Sequence, residues 1–107
     1  MIKRTSREHV LKILKQNQLN WKILDIGCNL DAIEYAQTVA DVTNFSEFYK
    51  NKKFVLIDDK KLPFEDNQFD FVYASHVIEH VEDVSYFMRE IQRISFYRCF
   101  VSMYLMT

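Results

Sequence analysis

The chain has 107 residues, 49% of them hydrophobic and 15% aromatic, which is enough to form the core of one folded domain and too apolar for a disordered segment. Its 14 basic and 15 acidic side chains leave a net charge of -1, which argues against a dominant phosphate-backbone partner, because nucleic-acid affinity needs a basic face. Two cysteines, Cys28 and Cys99, make no disulfide framework, and no apolar run approaches the ~20 residues of a membrane span, so a soluble protein of the reducing cytoplasm is expected.

In chain order, residues 6–17 place Val10, Leu11, Ile13 and Leu14 on one stripe, and Thr5 stands at capping-box spacing from Glu8, which predicts an opening amphipathic helix. Asn17 and Asn20 break that period. The nearly continuous apolar run KILDIG at 22–27 then reads as a buried parallel strand. Residues 30–38 show no clear period, and the gap is too short for a long helix before TVADV at 38–42, a candidate second strand. FVLID at 54–58 and FDFVYAS at 69–75 are the third and fourth strands, and Pro63 prevents a continuous helix between them. The period then changes, with Val84, Phe87, Met88, Ile91 and Ile94 recurring at three and four, so 84–95 is a helix with Asp83 placed to cap it. Cys99 to Leu105, CFVSMYL, is a candidate fifth strand, although no glycine or turn signal separates it from the helix. Together these predict a single α/β domain over 1–107, a three-layer sandwich with a mainly parallel sheet of about five strands and ligand at the strands' carboxyl ends.

Two blocks carry chemistry: ILDIGC at 23–28, and FVLIDDKKLPFEDNQFDFVYASHVIEHVED at 54–83. Both set an acidic or glycine-bearing turn at the end of an apolar strand. The second contains LPF-x-D-x-x-FD-x-V followed by EHV, and at these residues the chain resembles the class I S-adenosylmethionine-dependent methyltransferases of the small-molecule type. The resemblance spans roughly residues 20–95 and implies a Rossmann-like sheet and S-adenosyl-L-methionine as cofactor. It implies that Asp25, Gly27 and Cys28 form the turn at the cofactor's methionine and ribose portions, with Asp25 helping to hold the amino group. Asn29 and Asp31 stand where the family commonly has glycine; Asn accepts a left-handed conformation more comfortably than Asp. The ribose hydroxyls fall to Asp41, a carboxylate able to accept two donors, or to its substitute Asn44. By the same resemblance Asp58 accepts the adenine amino group, the amide of Asp59 donates to the ring, and Leu62, Pro63 and Phe64 wall the adenine and pack the loop. Ala74 and Ser75 carbonyls would face the ammonium, and His76 would lie near the transferring methyl, as a general base or as a structural or substrate-lining residue.

His76, Glu79 and His80 also spell H-x-x-E-H, the pattern of inverted-motif zinc peptidases. A third ligand would have to come from Glu82, Asp83 or Glu90, all on or beside the same helical segment, and a zinc site explains neither DIGC nor LPF. No tightly bound zinc is therefore expected. A non-catalytic methyltransferase-like binding or interaction module is the alternative from a different class, because the family's sheet has seven strands and this sequence offers about five before Thr107. As a fragment or reduced paralogue it would leave Cys99 to Leu105 at a sheet edge, where self-association or a covering partner is expected.

Overall fold

The structure, a computed structural model, describes residues 7–17, 20–58, 60–75 and 81–102, without the side chains of Ser75 and residues 97–102. Thr5, Asp59, His76, Glu79, His80 and residues 103–105, all named above, lie outside the described residues.

The elements are α1 (Arg7–Asn17), β1 (Ile23–Ile26), β2 (Thr38–Asp41), β3 (Lys53–Leu56), β4 (Phe69–Ser75), α2 (Val84–Ile94) and β5 (Ser95–Ser102). The strands form one five-stranded sheet in the order β3-β2-β1-β4-β5, with every neighbouring pair parallel. The order reverses between β1 and β4, so the carboxyl ends of β1, β2 and β4 share the crevice where open α/β sheets hold ligands.

Alternation along the strands sorts the core into two layers. Leu24, Ile26, Ala40, Val72 and Ala74 point to the side covered by Phe87, Ile91 and Ile94 of α2. Ile23, Val39, Phe71 and Tyr73 point to the other, covered by Val10 and Leu14 of α1. Helices therefore lie on both faces, giving the three-layer sandwich. Phe69 breaks the alternation by joining the α2 side beside Phe64, at a ring distance of 5.1 Å. The cause is local: the N–H groups of Asp70 and Phe71 both donate to the Lys22 carbonyl, at 2.9 and 3.2 Å, and this bulge turns the strand over.

Most boundaries fall within a residue or two of expectation, β3 ending at Leu56 rather than at Asp58, and the largest difference is at the α2–β5 junction. The final strand begins at Ser95, four residues before Cys99, and α2 ends at Ile94 with no intervening loop. Ser95 makes a glycine unnecessary: its extended backbone (φ -97, ψ 125) leaves the helix, its N–H donates to the Gln92 carbonyl and its hydroxyl to the Ile91 carbonyl. At the other end Asp83 caps α2 as predicted, its Oδ1 accepting from the Tyr86 N–H at 3.0 Å. No helix among the described residues is long and apolar enough to cross a membrane.

Candidate functional site

The site begins where β1 runs out. Gly27 has φ 76 and Asn29 φ 47, both left-handed, so the chain reverses at once after Ile26. A Cβ at Gly27 would cost about 1 kcal/mol in that conformation, whereas Asn29 is among the residues that enter it most readily. Asp31 is not left-handed, so it needs no glycine. The Gly27 and Cys28 N–H groups both donate to the Ala40 carbonyl, at 2.7 and 3.2 Å, seating the turn on β2. Asp41, the last residue of β2, accepts from the Asn29 N–H on Oδ2 (2.9 Å) and from the Thr43 N–H on Oδ1 (3.1 Å). Asn44 stands three residues further on, exposed, its side chain accepting from the Ser46 N–H at 3.0 Å.

Asp25 is the electrostatic centre. It is 1% exposed, its Oδ2 accepts the Ile33 N–H at 2.8 Å, and its buried Oδ1 has no hydrogen-bond partner among the described residues. Burial pushes its carboxyl up to about 7, against the weaker pull of the Ile33 bond and of the Arg7 and Lys52 charges. Beside it the free Cys28 thiol is pushed up to about 12 by burial and by the Asp25 and Asp41 carboxylates, which keeps it unreactive.

The connection from Cys28 to Gln37 contains turns and no helix, so its backbone groups need partners from elsewhere. Two bonds lie inside it, from the Asp31 N–H to the Cys28 carbonyl (3.0 Å) and from the Ala36 N–H to the Ile33 carbonyl (3.1 Å), and besides Asp25 and Asp41 three distant side chains supply others. The Tyr49 hydroxyl donates to the Asn29 carbonyl, lies 3.4 Å from the Cys28 carbonyl and accepts the Ala32 N–H at 3.1 Å. Lys52 Nζ donates to the carbonyls of Glu34 (2.8 Å), Ala36 (2.6 Å) and Ile33 (3.5 Å). Arg7 Nη2 donates to the carbonyls of Asp31 (2.9 Å) and Ala32 (3.2 Å).

Just past β3 the Ile57 N–H donates to the Asp41 carbonyl at 3.0 Å, and the exposed Asp58 follows, its Oδ1 accepting from the Lys60 N–H at 2.9 Å. The LPF loop packs inward: Leu62 and Phe64 are buried in the α2-side core, and Pro63 is exposed. An ion pair on α2 clamps this loop. Glu90 Oε1 accepts the Leu62 N–H (2.8 Å), Arg93 Nε donates to Glu90 Oε2 (2.7 Å), and the Arg93 fork reaches the Phe64 carbonyl (2.8 Å), Asp66 (2.9 Å) and the Leu62 carbonyl (3.1 Å). The Arg93 hydrogen bond holds the Glu90 carboxyl below its usual range. Ala74 pairs with Ile26 across the β1–β4 ladder, and Ser75 ends β4 opposite Ser102.

Asp25, Gly27, Cys28 and Asp41 are each tied to the turn or its neighbouring strand by hydrogen bonds, Asp25 through the Ile33 N–H, Gly27 and Cys28 through the Ala40 carbonyl and Asp41 through the Asn29 N–H, with Asp58, Ala74 and Ser75 at the same end of the sheet. Sequence reasoning passed over Arg7, Tyr49 and Lys52, which no local motif links to the turn they hold. The Glu90–Arg93 clamp left one faint sign, its i, i+3 spacing on a helix.

Comparison with known proteins agrees with this geometry. Residues 9–95 match the family described as "Methyltransferase domain". The chain is 33% identical to the sterol 4-C-methyltransferase strm-1 of Caenorhabditis elegans over 78 residues, covering 67% of this chain and 23% of that protein. It is 30% identical to the cycloartenol-C-24-methyltransferase of Arabidopsis thaliana over 106 residues, covering 81% of this chain and 32% of that one. This chain therefore spans about a quarter to a third of those two proteins. Among solved structures, an S-adenosylmethionine-dependent methyltransferase from Mesorhizobium loti superposes with a TM-score of 0.65 at 20% identity, over 81% of this chain and 47% of that one. The chain belongs to the methyltransferase domain family, in the class I, S-adenosylmethionine-dependent group.

Proposed function

We propose that this domain binds S-adenosyl-L-methionine at the carboxyl ends of β1 to β4 and serves methyl transfer to an acceptor. The observation that carries the reading is the buried Asp25 oxygen without a partner among the described residues, at the left-handed Gly27–Asn29 turn. A buried acceptor left unmade costs about 1–3 kcal/mol, and a ligand ammonium is a donor suited to it. The turn lacks a Cβ at Gly27, which leaves room for a ligand to approach the backbone.

When bound, S-adenosyl-L-methionine supplies an electrophilic methyl group on a sulfonium. In this reading Asp25 holds the amino end, with the Ala74 and Ser75 carbonyls and the backbone of Gly27 and Cys28 beside it. Asp41 is favoured over Asn44 for the ribose hydroxyls, since it is tied to the turn and a carboxylate has capacity beyond its two backbone donors. Asp58 takes the adenine amino group and the Asp59 amide the ring nitrogen. Leu62 contributes by fixing the loop, its side chain being in the core. His76 is assigned to the acceptor side, as the group that would take a proton from a poorly nucleophilic acceptor.

The protein's main contribution is alignment and exclusion of water, which needs no dedicated base for a good nucleophile. The names of the two curated relatives suggest a sterol-like acceptor, and the exposed Leu30 and Val42, near the same strand ends, offer apolar surface for one. The buried free thiol of Cys28 fits a reducing, cytoplasmic setting. Calorimetry with S-adenosylhomocysteine tests the proposal. Binding is expected, and Asp58→Ala should weaken it by about 1–3 kcal/mol; no measurable affinity in the millimolar range for the unmutated chain would overturn it.

A further inference from the structure

We propose that Tyr49 and Lys52 are positioning residues for the amino-acid end of the cofactor, acting through the β1–β2 connection; this rests on the binding reading above. The argument starts from what the connection lacks. With no helix after the turn, the connection has no helical ladder; the Cys28 and Ile33 carbonyls accept turn bonds from the Asp31 and Ala36 N–H groups, and those of Asn29, Glu34 and Ala36 depend on side chains from elsewhere. Tyr49 reaches those of Cys28 and Asn29, and Lys52 those of Ile33, Glu34 and Ala36. Both come from the segment between β2 and β3, so the grip originates outside the connection itself.

The grip leads to Asp25 in two steps. Lys52 holds the carbonyls of Ile33 and Glu34, and the Ile33 N–H is the donor that fixes Asp25 Oδ2 and leaves Oδ1 open. Tyr49 fixes Asn29, the left-handed residue whose N–H is held by Asp41, and Ala32, the residue before Ile33. Tyr49 is 6% exposed and belongs to the α1-side core, its ring 6.5 Å from that of Phe54 on β3, so packing outside the turn helps to hold its hydroxyl in place. Burial pushes that hydroxyl up to about 12, so it remains a donor throughout the working range of pH.

Among the described residues neither makes a direct hydrogen bond to Asp41 or Asp58, the residues assigned to the nucleoside at the ends of β2 and β3; Tyr49 reaches Asp41 only through Asn29. A positioning role therefore predicts a split between ligands that a general loss of stability would not produce. S-adenosylhomocysteine carries the amino-acid end; 5′-methylthioadenosine has the same nucleoside and sulfur without it. For Tyr49→Phe and for Lys52→Met, affinity for S-adenosylhomocysteine should fall about tenfold, and affinity for 5′-methylthioadenosine should change less than about twofold. Tyr49→Phe keeps the ring packing, and Lys52→Met supplies the same readout should the first variant not fold. Equal loss on both ligands, or no loss on either, overturns the positioning role. If the unmutated chain binds neither ligand, the binding reading itself falls and takes this inference with it.

Discussion

Asp25 illustrates how a single residue can set a pH response. Its carboxyl sits at about 7 in the folded chain and near 3.8 when exposed, so between those values the folded state holds a proton that the unfolded state has lost. Stability conferred by the neutral acid is complete below about 3.8 and is lost progressively as pH rises to about 7, an effect of a few kcal/mol in total. Asp25→Asn should remove this slope: in urea unfolding at pH 5 and pH 8, the unmutated chain should lose stability relative to the variant at the higher pH. Equal differences at both pH values would place the proton elsewhere. A second test concerns backbone conformation. Asn29 at φ 47 predicts that Asn29→Gly is nearly neutral and that Asn29→Val costs about 1–2 kcal/mol, read from the same unfolding midpoints. Asn29's tolerance and Asp25's place at the strand end were legible in DIGCN. The unpartnered oxygen was not, because it depends on Ile33 supplying only one donor to a carboxylate eight residues earlier.

At the scale of elements, α2 does two jobs with adjoining faces. Phe87, Ile91 and Ile94 cover the sheet, while Glu90 and Arg93 hold the Leu62–Asp66 loop against it. Arg93→Ala would leave the Glu90 carboxylate, 7% exposed, without its cation and would free the Leu62 and Phe64 carbonyls. We expect a loss of about 2–4 kcal/mol in urea unfolding, with less from Arg93→Lys, which keeps the charge but not the fork. Loss of only a few tenths would mean that the loop is held by Leu62 and Phe64 alone. The helix itself could be read from its period and its Asp83 cap. Its end could not: Ser95 leaves the helix using its own N–H and hydroxyl, a device that carries no glycine or proline to announce it. The β1–β2 connection was unreadable for a related reason, since a segment held by Arg7, Tyr49 and Lys52 needs no period of its own.

For the whole molecule, the two outer strands are unequal, and this decides where another chain would add. β3 is four residues long, opens with the exposed Lys53 and follows Lys52, which gives that edge the short, charged form that discourages pairing. β5 is eight residues long, SFYRCFVS, with Arg98 its one charge, and it lies outermost beside β4 in the described sheet. Strand pattern and parallel pairing were legible from apolar runs; the reach of β5 was not, because its first residues overlap the helical period of α2. Among the described residues no strand pairs with the outer side of β5, and Phe96 adds an apolar side chain that is 57% exposed. We therefore expect the 107-residue chain to self-associate through β5. Sedimentation over a hundredfold concentration range should give an average mass that rises above the monomer's 12.9 kDa, and amide exchange in β5 should slow as association proceeds. A constant monomer mass with fast and unchanged exchange along β5 would show that this edge does not recruit a second copy.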